Sequence, residues 1–172
     1  MDIKSLLETS MGHTTIFAFA FALLYPIAIA LIQRRLLSKS IRRWIRIALL
    51  IAYSLGIIYL TLINRNVSER SANLVPFWSY GHWSNVEYRW IIFMNILVFV
   101  PFGFMLPWAV EMKFWQTALI GFLFSVCIET LQYILRVGLC EFDDVFNNTM
   151  GTVLGYGYWR LLGNFIRKRE TT

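Results

Sequence analysis

Charge is scarce in this sequence: Asp, Glu, Lys and Arg make up 15% of it, whereas 58% of its residues are hydrophobic. Soluble domains carry roughly 25% charged residues, so an ordinary water-exposed surface is excluded. Cysteine is nearly absent as well. Cys127 lies inside a long apolar run and Cys140 beyond its end, and about 13 residues of helix at about 1.5 Å each would hold the two thiols too far apart for a disulfide. His13 and His82 stand alone, without a second ligand at metal-binding spacing. The sequence also lacks a phosphate-binding glycine loop, a nucleophile motif, a zinc pattern and an internal repeat. No cofactor and no metal is therefore expected. The leading MDIKSLLETSMGHTT has no basic start, and the apolar run after it has no small-residue cleavage site, so that run is expected to be kept as a span.

What the sequence has instead is long apolar runs, near 14–33, 45–63, 90–110, 114–135 and 145–166. Each approaches the roughly 20 apolar residues that cross a bilayer. They predict one integral membrane domain over residues 1–172, an all-α bundle of about five transmembrane helices. The connection RRLLSKSIRRWIR at 34–46 holds six basic residues and no acid, which places it in the cytoplasm and sets the termini as N-out and C-in. With that topology eleven Lys/Arg face two acids on the inner side, and five face eight acids on the outer side. The basic excess points to anionic membrane lipid and gives no reason to invoke nucleic acid. Trp44, Trp108, Trp115 and Trp159 fall near the inner interface, and Trp78, Trp83 and Trp90 near the outer one, as interfacial belts do. The loop NLVPFWSYGHW after the second span is too apolar for a solvated connection. It is expected to dip into the interface or fold back over the helix ends.

Polar residues gather at one end of this layout. Glu129, Gln132 and Arg136 mark one face of the fourth span, and Asp144, Asn147, Asn148 and Gly151 one face of the fifth. A tight connection over 137–143 would bring the two faces together. Asp143 or Asp144 suits the start of a helix, where acids meet the positive end of the dipole. Capping does not explain Glu129, which at lipid depth needs a partner. Arg65, Arg136 and Asn95 are the candidates, and the residue serves either a structural ion pair or a function. Pro101, Gly103 and Pro107 should loosen the third span beside Asn95. Gly151-x-x-x-Gly155 allows close packing of the fifth span within its own chain.

In order, Arg65, NLVPF at 73–77, NILVFVPFG at 95–103 with Pro107, ETLQ at 129–132, Arg136 and CEFDDVFNNTMG at 140–151 form a series that resembles the VanZ-like family of small bacterial membrane proteins. The resemblance covers roughly residues 45–165. It implies a multi-pass protein of the bacterial plasma membrane with an envelope role, and the family's namesake is associated with resistance to teicoplanin-type glycopeptide antibiotics. By matched position it carries Arg65, Asn73, Pro76, Asn95, Glu129, Gln132, Arg136, Glu141, Asp143, Asp144 and Asn147 or Asn148 over as motif residues. Glu141 stands where many members have Asp.

Three functions fit these residues. In the first, the protein binds or remodels a lipid-linked envelope component, such as a cell-wall precursor or glycopeptide-related ligand, at the outer leaflet. Arg65 and Arg136 would take phosphate or carboxylate there, while Asn73, Asn95, Glu129, Gln132, Asp143, Asp144, Asn147 and Asn148 would take sugar or amine. In the second, Glu129, Glu141, Asp143 and Asp144 supply acid and base, or hold a cation, for hydrolysis or group transfer on a lipid headgroup. In the third, Glu129 lies on the path of a small proton-coupled transporter or flippase.

Overall fold

The structure is a computed structural model that describes residue 24, residues 38–63, 67 and 69–170, the stretch 163–170 as helix backbone alone. Apart from Leu24, the predicted first span lies outside the described residues, as do His13 and Arg65.

Helix α1 (Lys39–Ile58) starts where the Ser38 side chain accepts the Ile41 N–H at 3.3 Å. It runs into a widened π-type turn, Tyr59–Ile63. After a short strand β1 (Ser71–Asn73) and a single helical turn α2 (Trp78–Gly81) comes α3 (Val86–Ala109). Asn85 caps α3 by accepting the Glu87 N–H at 2.9 Å, and Glu87 adds a negative charge to its first turn. Helix α4 (Phe114–Leu135) ends where Arg136 turns into the left-handed region at φ 60° and the Val137 N–H closes on the Gln132 carbonyl at 3.1 Å. Strand β2 (Leu139–Glu141) then leads directly into α5 (Phe142–Glu170), with Asp143 and Asp144 in its first turn.

Among the described residues, three helices are long and apolar enough to cross a membrane: Lys39–Ile63, Val86–Ala109 and Phe114–Leu135. The second and third agree with the runs at 90–110 and 114–135 to within a few residues. The run at 145–166 is helical, but it is not one of these three. Asn147, Asn148, Thr149, Thr152 and Arg160 make it less apolar than those three; Asn147, Asn148 and Thr152 are buried, whereas Leu154 and Leu161 are exposed.

That distribution holds across the bundle. Leu55, Leu119, Leu123 and Leu154 are exposed, while Thr117, Ser125, Gln132, Asn147 and Thr152 are inside. In lipid, apolar burial does not drive helices together, so contacts form through small residues and hydrogen bonds. Thr152 lies between α3 and α4, where a Cβ on Gly103 or Gly121 would collide with it. Gly151 and Gly155 likewise pack on α3, with no room for a Cβ beside the Ile96 and Val100 carbonyl oxygens. The Gly-x-x-x-Gly spacing thus serves contact within the chain. Ile57, Phe99, Phe102, Leu106 and Ile128 form an apolar cluster where α1, α3 and α4 meet.

The chain alternates direction through the bundle. Arg46, near the start of α1, donates from Nη1 to the Trp108 carbonyl at the end of α3 (3.2 Å). At the other end Gln132 of α4 donates from Nε2 to the Thr61 carbonyl (3.1 Å). One end therefore collects the basic residues of α1, and the other the carboxylates and amides.

Candidate functional site

The polar end is organised by a small parallel sheet that an all-helical expectation does not contain. Strand β1 pairs with β2 in the register Ser71–Leu139, Ala72–Cys140 and Asn73–Glu141. This pairing sets the aromatic loop that follows β1 against the start of α5. Phe77 meets Phe142 and Phe146 edge to face at 6.2 and 5.2 Å, and Tyr80 meets Phe146 at 6.5 Å. The loop folds back over the helix ends, one of the two arrangements its apolar composition allowed.

Asp143 fixes the loop in place. Its Oδ1 accepts the Phe77 N–H at 2.6 Å and its Oδ2 the Ser79 N–H at 2.8 Å. The carboxylate is 2% exposed. Phe77 itself sits at φ 58°, ψ 24°, a left-handed conformation that costs a non-glycine residue about 1–3 kcal/mol and persists only where its surroundings hold it. Asp143 lies in the first turn of α5 as expected, but its two oxygens serve a different helix from its own.

The neighbouring polar groups are tied in pairs across elements. Asn95 of α3 donates from Nδ2 to Asp144 Oδ1, and the Tyr80 hydroxyl donates to Asn147 Oδ1. Glu129 Oε2 accepts the Glu141 N–H at 3.1 Å, so this buried acid holds strand β2 at the end of α4. Asn148 donates from Nδ2 to Ser125 Oγ at 2.8 Å, which joins α5 to α4. The wide turn at Tyr59–Ile63 presents the Thr61 carbonyl to Gln132; such turns open backbone groups to partners outside their own helix. Asn73 Oδ1 accepts the Val75 N–H at 3.3 Å and its side chain also bonds Glu141. Arg136 is exposed at the end of α4.

Asn95, Glu129, Gln132, Asp143, Asp144, Asn147 and Asn148 therefore meet at one end of the bundle, with Asn73 and Glu141 on the adjoining strands. Three buried amide atoms there have no hydrogen-bond partner among the described residues: Gln132 Oε1, Asn147 Nδ2 and Asn148 Oδ1. Their residues are only 4%, 0% and 5% exposed. A buried polar atom left unbonded costs about 1–3 kcal/mol.

The electrostatics are those of crowded acids. Burial pushes the Glu141 carboxyl above its ordinary range, the Asn73 hydrogen bond opposes the shift, and the charge of Asp143 adds to it. Burial also raises the Cys140 thiol, with Glu129, Asp144 and Glu141 contributing in that order. The Tyr80 hydroxyl is raised by burial and then by Asp143. Among the described residues, no three of His, Cys, Asp and Glu lie close enough to hold a metal ion.

Tyr80 and Ser79 were not among the expected site residues, though both lie in the aromatic loop whose composition marked it. Thr61 and Ser125 carried no signal, because one contributes its backbone carbonyl and the other is a lone hydroxyl in an apolar run.

Comparison with known proteins identifies a family. The family described as VanZ/LLP1 matches residues 47–163. The chain is 27% identical over 106 residues to the protein named VanZ of Enterococcus faecium, covering 61% of this chain and 62% of that one. The match thus spans somewhat less than two thirds of that relative's length. No solved structure matches the chain.

Proposed function

We propose, for a chain that belongs to the VanZ/LLP1 family, that it is a multi-pass protein of the bacterial plasma membrane, N-out and C-in, with about five spans. Its carboxylate and amide end binds or remodels a lipid-linked envelope component at the outer leaflet. The observation that carries this reading is the set of unbonded buried atoms on Gln132, Asn147 and Asn148. Two acceptors and one donor held by rigid helices suit the hydroxyl and amide groups of a sugar or peptide headgroup. Arg136, at the rim, takes its phosphate, together with Arg65. The aromatic loop held by Asp143 covers the ligand's acyl portion. Holding a cell-wall precursor in this way lowers access of a teicoplanin-type glycopeptide without altering the drug.

A photo-crosslinking residue at Leu74, which is exposed in the loop, tests this in intact cells against the same residue at Trp115, exposed at the opposite end. Capture of a lipid-linked glycan at Leu74 alone supports the reading. The same lipids at both positions would remove its basis.

A second reading, a membrane enzyme acting on a lipid headgroup, rests on Glu141, whose carboxyl is inclined to keep its proton and so suits a general acid. Asp143 supports it poorly, because both its oxygens already accept backbone N–H groups. Release of headgroup from a supplied precursor, abolished in Glu141→Gln, would establish it.

A further inference from the structure

The opposite end of the bundle holds a cavity of about 640 Å³. Its walls include Lys39, Arg42, Arg43 and Arg46 of α1 on one side and Trp108 and Glu111 at the end of α3 on the other. The four cations fall at i, i+3, i+4 and i+7, so they share one helix face; it borders the cavity opposite the end of α3, with Lys39 and Arg43 exposed and Arg42 and Arg46 half-buried. Basic residues needed only to mark the inner side of a membrane could point anywhere around α1. Concentrated on one wall they repel each other, and Glu111 offsets one charge of four.

Arg46 is the fixed element of this wall. Its Nη1 bonds the Trp108 carbonyl at 3.2 Å, its guanidinium lies 5.1 Å from the centre of the Trp108 ring, and its Nε is buried without a partner among the described residues. A guanidinium held against an aromatic face with a donor to spare is preorganised for an oxyanion. At about 30 Å³ per water the cavity holds far more than a single ion, and it falls within the range of about 300–1,000 Å³ typical of ligand sites.

We propose that this cavity is a binding site for an anionic phosphate group, with Arg42 and Arg46 as its principal donors and Glu111 accepting from a hydroxyl carried beside the phosphate. The phosphate belongs either to a lipid headgroup of the adjoining leaflet or to a soluble phosphate compound. The site is independent of the one at the other end, from which it is separated by the length of the bundle.

Native mass spectrometry of the full chain in detergent, titrated with dioleoylphosphatidylglycerol and with dioleoylglycerol, tests it. The phosphate-bearing lipid is expected to be retained about tenfold better than its phosphate-free counterpart, and Arg42→Gln and Arg46→Gln each to lose about tenfold. Arg160→Gln, an exposed cation on α5 outside the cavity lining, should leave retention unchanged. Arg42→Gln keeps the Arg46–Trp108 bond, so its result stands even where Arg46→Gln does not fold. Displacement of the lipid by inorganic pyrophosphate assigns the site to a soluble phosphate, and persistence assigns it to the headgroup. Equal retention in wild type and Arg42→Gln, or an equal loss in Arg160→Gln, overturns the proposal.

Discussion

The Asp143 carboxylate accepts the backbone N–H of Phe77 at 2.6 Å across 66 positions of sequence. With the Ser79 N–H on its second oxygen, this one side chain ties the aromatic loop to the start of α5. Asp143→Asn replaces one acceptor with a donor that faces a backbone N–H. Stability should fall by about 1–3 kcal/mol, read as a lower thermal midpoint in mild detergent, and proteolysis should begin within residues 74–82.

Close contact of α5 with α3 makes an equally direct prediction. Gly155→Ala sets a methyl group against the Val100 carbonyl oxygen, and neither backbone can yield cheaply. A loss of about 1–3 kcal/mol follows. Gly56→Ala, on an exposed face of α1 with nothing within 4 Å of the added carbon, should instead gain up to about 1 kcal/mol from helix propensity.

Much of the helical framework could be read from the sequence. The apolar run at 114–135 coincides with α4, and i, i+3, i+4 spacing put Glu129 with Gln132 and Asn147 with Asn148 on facing surfaces. The β1–β2 pairing could not be read, because three residues per strand are too few to show alternation and the strands lie far apart in sequence. Asp143 looked like an acid at the start of its own helix, and local spacing contains nothing about Phe77. Matching depth offers Asn95 as a partner for Glu129, whereas the structure joins it to Asp144 of α5. The fifth run forms the helix its composition suggests, and its polar face is turned inward, where Asn148 bonds Ser125 of α4.

Glu141 gives the pH dependence a sign. Its carboxyl is raised in the folded protein, chiefly by burial, so the folded state holds its proton more tightly than the unfolded chain does. Its contribution to stability is complete below the ordinary carboxylate pKa and is lost as pH rises through the raised value. The thermal midpoint should therefore fall over that window, and Glu141→Gln should flatten this part of the curve. An unchanged slope in the variant would assign it to other groups.

Topology can be tested with impermeant maleimide in a chain whose two native cysteines are serines. Leu74→Cys should label in intact cells and Lys113→Cys only after permeabilisation. The reverse pattern would place the carboxylate and amide end on the inner side.

The most direct test of the central claim is native mass spectrometry of gently extracted protein, wild type beside Gln132→Met. Methionine keeps the volume of the buried side chain but removes its donor to Thr61 and its unbonded oxygen. A lipid-linked glycan bound to the wild type and lost from the folded variant is the predicted result. Only bulk phospholipid, retained equally by both, would contradict it.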